Sequence, residues 1–142
     1  MVVMLLRAAS SPAADAQVPI GRLPHTTVPT AYRLDLTIVP ERERFSGHVE
    51  IDIRLNEPAG FVFLHGRDLS VSSVVVLSGG KSLPATYRQL DERGTSRVDF
   101  PQPLPAGDAT LVFDYDARFG DSTAGLYRLK VGDDWYAWTQ FE

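Results

Sequence analysis

The sequence holds no cysteine, only three histidines in 142 residues, and no apolar run approaching the ~20 residues that span a bilayer as a helix. The absent cysteine excludes disulfides, thiolate catalysis and cysteine-based zinc sites, and it suits cytosolic and many exported bacterial proteins alike. No cluster of basic residues exists, and 14 Lys plus Arg stand against 18 Asp plus Glu, a net charge of −4. Nucleic-acid binding relies on a basic stripe that displaces counterions, so that class is set aside. No window places apolar residues at helical spacing between caps. His25, His48 and His65 have no metal-ligand partner at useful spacing and read as surface or strand-end residues. There is no Gly-x-Ser-x-Gly elbow and no phosphate-cradling glycine loop ahead of a helix; Gly79-Gly80 reads as a turn. Asp114 and Asp116 share a strand face, where paired carboxylates can do acid–base work, but the plainer reading is a solvated face. Judged on these residues alone, the chain is not a catalyst.

What is present is a period of two. In AYRLDLTIV, Tyr32, Leu34, Leu36 and Ile38 fall on one face, which should be buried, and Arg33, Asp35 and Thr37 on the other. FSGHVEIDIRL repeats the pattern with Phe45, Val49, Ile51, Ile53 and Leu55 against Ser46, His48, Glu50, Asp52 and Arg54. The polar stretch Pro40 to Arg44 between them reads as a hairpin connection, and Gly47 as a bulge or a close approach. Further strands are expected over 60–66 (apolar on both faces, hence buried), 69–77, 85–90, 96–100 and 109–119, with 101–108 a proline-rich loop. The expected fold is all-β and antiparallel, two packed sheets or one strongly curved sheet. At this length one domain is expected.

Residues 1–22 stand apart: Val2 to Leu6 are apolar, and Ala14-Asp15-Ala16 before Gln17 has the small-x-small pattern of a signal-peptidase site. They read as a leader or the remnant of an export signal, or else as a disordered extension, outside the fold in either case, with 23–142 as the domain and a bacterial periplasmic location expected, a cytoplasmic one being the alternative.

The last quarter carries more specific motifs. Gly125-Leu126-Tyr127-Arg128 is followed, after a turn, by a strand ending Thr139-Gln140-Phe141-Glu142. Upstream, LPHTTVPTAYRLDLTIVPERERFSGHVEIDI, FLHGRDLSVSSVVV and LPAGDATLVFDY follow in order. Together, over about 120 residues, these resemble the N-terminal β domain of the M1 family of zinc aminopeptidases. The resemblance implies a twisted, saddle-like domain that packs on a catalytic domain of the same polypeptide and closes one side of its active-site cleft. It implies that Gln140 lines the pocket for the peptide substrate's first side chain and that Glu142 holds the substrate's free α-amino group. On an extended strand, residues i and i+2 point the same way, so both can face one cleft while Phe141 packs behind. A cationic amine with three donors is answered best by a carboxylate.

The family's Gly-x-Met-Glu-Asn loop, His-Glu-x-x-His helix, downstream glutamate ligand and catalytic tyrosine are not in these 142 residues. The chain is therefore expected to be a domain truncated at its C-terminal end, with zinc held by sequence not present, no metal or catalytic residue of its own and no hydrolytic activity alone. Its unfinished sheet should leave an apolar edge prone to association. The competing reading is a non-enzymatic β module that binds carbohydrate or protein. Trp135, Tyr136 and Trp138 are its only candidates, and because Trp135 faces away from the other two they make a poor sugar platform. A family member that lost its peptidase activity and kept the scaffold is the third possibility.

Overall fold

The computed structural model describes residues 17–140. The expected leader lies mostly outside the described residues, as do Phe141 and Glu142. Ten strands follow in chain order: β1 (Thr27–Thr37), β2 (Arg44–Leu55), β3 (Ala59–His65), β4 (Ser70–Ser78), β5 (Lys81–Pro84), β6 (Thr86–Gln89), β7 (Thr95–Leu104), β8 (Gly107–Arg118), β9 (Gly125–Val131) and β10 (Asp134–Gln140). All strand pairings between them are antiparallel, and no helix occurs among the described residues. The all-β expectation holds.

The strands form a five-stranded sheet in the order β1-β2-β8-β4-β5, a three-stranded sheet β3-β7-β6, and a separate β9–β10 hairpin. The core forms where the first two sheets face each other. Ile53, Leu55, Val76, Ala109, Leu111 and Phe113 come from the larger sheet, and Val62, Val98, Phe100 and Leu104 from the smaller. These are the inward positions of alternating strands, which is why the period of two in the sequence builds a two-layer sandwich. Thr95 and Ser96 are buried polar residues of the smaller sheet, and the Ser96 hydroxyl donates to the Gly66 carbonyl at 3.0 Å and pairs with the Tyr87 hydroxyl at 2.8 Å. Burial pushes the Tyr87 phenol up from its ordinary value.

Gly47 marks a close approach, as its place in the pattern implied. It is buried opposite Tyr115, and a Cβ added there would overlap that ring. The ring is itself braced edge-on by Phe45. Glycine is the residue that lets the Tyr115 ring cross β2.

Three expectations are corrected. The stretch 101–108 is not a loop: β7 runs to Leu104 and β8 begins at Gly107. Pro101 and Pro103 are tolerated because they fall between the Asp99 and Leu104 pairings, where the ladder with β3 shifts register and asks for no regular N–H. The segment 60–66 is not fully buried, because β3 is an edge strand of the smaller sheet and only Val62 and Gly66 are buried. The face of β1 that carries Tyr32, Leu34 and Leu36 is apolar but exposed, as is Ile38 just beyond the strand. Register places Tyr32 beside Ile51 and Leu34 beside Val49, so β1 turns its apolar side inward as expected. The smaller sheet does not extend over it.

Candidate functional site

The site predicted from the sequence lies at the end of β10. Val131 pairs with Asp134 across a two-residue turn in which Gly132 has φ 63°, the arrangement of a type II′ hairpin turn with glycine first. Register then places Trp135 opposite Lys130, Ala137 opposite Arg128 and Thr139 opposite Leu126 on one face. Tyr136 opposite Leu129, Trp138 opposite Tyr127, and Gln140 opposite Gly125 share the other. The first face turns toward the sandwich and the second toward solvent, Tyr136 being 45% and Trp138 55% exposed. Trp135 and Tyr136 therefore face opposite ways, and Trp138 joins Tyr136.

Gln140 is exposed at the end of this outer row. Its cross-strand partner is a glycine, and a Cβ at Gly125 would meet no atom within 4 Å, so there is open space over that glycine. Glu142, the second predicted contact, lies outside the described residues.

The inner face holds a feature that the motif reading left without a role. Arg128 donates from Nη1 to the carbonyls of Arg42 at 2.6 Å and Pro40 at 3.1 Å, both in the β1–β2 connection. Its guanidinium lies 4.3 Å from the centroid of the Trp135 ring and 5.8 Å from that of buried Phe119, which packs on Phe45. The backbone adds one tie: Gly120 N–H donates to the Leu126 carbonyl at 2.8 Å, beside a single parallel bridge between Gly120 and Tyr127. The only sequence signal for this role was an arginine two residues after the leucine in Gly-Leu-Tyr-Arg, which says nothing about carbonyls 86 and 88 positions earlier.

The outer face of the larger sheet is polar and laced across strands. Arg33 pairs with Glu50 at 2.6 Å and with Asp52 at 2.9 Å, and Asp52 also accepts from the Thr110 hydroxyl at 2.7 Å. The Arg33 and Thr110 hydrogen bonds hold the Asp52 carboxyl below its usual range. His48 Nδ1 lies 2.6 Å from Asp114, its direct neighbour on β8, and the hydrogen bond to that carboxylate raises the imidazole above its ordinary value, against a smaller opposing effect of burial. His48 is thus a paired surface histidine; Asp116 lies exposed two positions beyond Asp114. Among the described residues no group of three or more His, Asp or Glu could hold a metal ion, so they offer zinc no site.

Residues 28–142 match the family model described as the peptidase M1 N-terminal domain. The chain is 27% identical over 137 residues to the puromycin-sensitive aminopeptidase of Caenorhabditis elegans, an overlap covering 90% of this chain and 14% of that protein. It is 28% identical over 107 residues to aminopeptidase N of Acetobacter pasteurianus, covering 75% and 29%. It is 30% identical over 137 residues to the membrane alanyl aminopeptidase of Heliothis virescens, covering 85% and 14%. The chain spans less than a third of the length of any of these relatives.

Proposed function

The chain belongs to the M1 peptidase family, as its N-terminal domain, and on that premise we propose that it is one wall of the substrate cleft of a zinc aminopeptidase. The complete polypeptide then removes residues one at a time from the amino terminus of peptides. Zinc belongs to residues other than those described here. This domain binds and orients, with Gln140 beside the substrate's first side chain and Glu142 pairing with its α-ammonium group. Holding the amino terminus fixes which peptide bond reaches the reacting centre, and positioning of this kind lowers a barrier without chemistry by the positioning residues.

The observation that carries this reading is the place of Gln140: exposed, last on the outward face of β10, with open space over Gly125 opposite it and the body of the domain behind. The uncovered inner side of β1 supports a second part of the proposal, that the remainder of the same polypeptide, its catalytic domain included, packs on this domain. Exposed Tyr32, Leu34 and Leu36 are an extension of the core's own apolar surface and fit such a neighbour.

The test of the anchoring role is Glu142→Ala in the complete polypeptide, comparing a peptide with its N-acetylated form as competitive ligands. The wild type should prefer the free amine, and the variant should lose about tenfold of that preference, the value of one charge-assisted hydrogen bond. An unchanged preference would overturn the role. Export is proposed from Ala14-Asp15-Ala16. Amino-terminal sequencing of the mature protein should then begin at Gln17, and an intact Met1 would contradict it.

A further inference from the structure

Resting on the reading that Gln140 meets the substrate, we propose that Arg128 is a positioning residue. It fixes the β9–β10 hairpin on the sandwich and thereby sets where Gln140 stands. The need for such a residue follows from the topology. The hairpin is a two-stranded sheet of its own, and neither of its strands joins the ladders of the other two sheets. An isolated two-stranded hairpin is marginal in water, so its form and its angle depend on what anchors it. Among the described residues the backbone ties it to the end of the β8 segment only around Gly120, through the hydrogen bond to Leu126 and the bridge to Tyr127.

Arg128 adds a side-chain hold on the other face of that tie, because it reaches three segments. The two turn carbonyls of Pro40 and Arg42 come from the β1–β2 connection, Phe119 from just past the end of β8, and Trp135 from β10 itself. A planar guanidinium can donate in its plane and stack on rings above it at the same time, which an ammonium cannot do. The carbonyls accept from Nη1 while the guanidinium carbon lies over the Trp135 ring. Arg128 sits directly opposite Ala137, three residues along β10 from Gln140, so a shift of the arginine is carried along a stiff strand to the amide. A misplacement of about 1 Å at a substrate contact is enough to cost up to about a hundredfold in rate.

The experiment compares Arg128→Met, Arg128→Lys, Gln140→Ala and the Arg128→Met/Gln140→Ala pair in the complete polypeptide, separating KM from kcat on small aminoacyl substrates. Arg128→Met should raise KM about as much as Gln140→Ala, each by about five- to tenfold, the range of a lost hydrogen bond. The double variant should be little worse than either single, since both remove the same contact. Arg128→Lys should fall between, and kcat should stay within about twofold, which general unfolding would not allow. A second readout isolates Trp135 as the difference in emission between the polypeptide and its Trp135→Phe variant, and Arg128→Met should increase the quenching of that difference by acrylamide. If Gln140→Ala raises KM while Arg128→Met and Arg128→Lys leave both KM and Trp135 quenching at wild-type values, the positioning role is overturned. If Gln140→Ala leaves KM unchanged, the substrate reading fails instead, and Trp135 quenching alone decides whether Arg128 holds the hairpin.

Discussion

Leu34 and Phe113 lie on the same face of one sheet, linked through Val49 between them, yet Phe113 is 4% exposed and Leu34 54%. The three-stranded sheet covers β8 and stops short of β1. Truncation should therefore cost very different amounts along one row. Leu111→Ala, at the covered centre, should lose about 2–5 kcal/mol of stability, through lost burial plus a cavity. Leu34→Ala should change the stability of this chain by no more than about 0.5 kcal/mol, as exposed positions do. Urea denaturation measures both. If the remainder of the polypeptide covers β1, Leu34→Ala should cost at least about 1 kcal/mol more there than in the isolated chain. Equal costs in the two settings would contradict the docking proposal.

The His48–Asp114 pair predicts a pH dependence of definite sign. The folded imidazole titrates above its ordinary value of 6.5, chiefly because it hydrogen-bonds the Asp114 carboxylate, with Glu50 and Asp35 adding attraction. Folding then favours the protonated form. The stabilisation is complete below the unfolded value and is lost as pH rises through the folded one. Melting temperature should fall across the range from about pH 6 to pH 8 by more than in Asp114→Asn, where the pair is gone. Parallel curves for the two proteins would show that the pair contributes nothing.

Gly47 should resist even the smallest side chain. Gly47→Ala forces a methyl into the Tyr115 ring, which Phe45 braces from the side. Overpacking of this sort costs about 1–3 kcal/mol. Tyr115→Leu in the same chain should recover part of the loss, because the obstructing ring is gone; no recovery would place the strain elsewhere.

The strands with one wet face were legible because hydrophobic alternation is a local property. Tyr32, Leu34 and Leu36 of β1, and Val49, Ile51 and Ile53 of β2, point to the side that their spacing indicated. Whether that side is covered is not local, and β1 shows the difference, since coverage depends on how far β3, β7 and β6 extend. The prolines at 101 and 103 looked like loop residues because their missing N–H counts only where a ladder demands one, and the register shift opposite β3 removes the demand. His48 and Asp114 are 66 residues apart and became neighbours only through the register of β2 with β8. Gln140 could be singled out from its motif, and its outward direction followed from alternation with Trp135. The anchoring of its hairpin by Arg128 could not be read from the chain, because the carbonyls it grips belong to a turn whose own residues give no sign of a partner.

Contact between Gln140 and the substrate's first side chain is tested by steady-state kinetics of Gln140→Ala in the complete polypeptide. The substrates should be a series of aminoacyl amides that differ only in that side chain. KM should rise by an amount that depends on the side chain, several-fold where the amide can hydrogen-bond or pack against it and little for alanine, with kcat largely kept. A KM unchanged for every member of the series would contradict the contact.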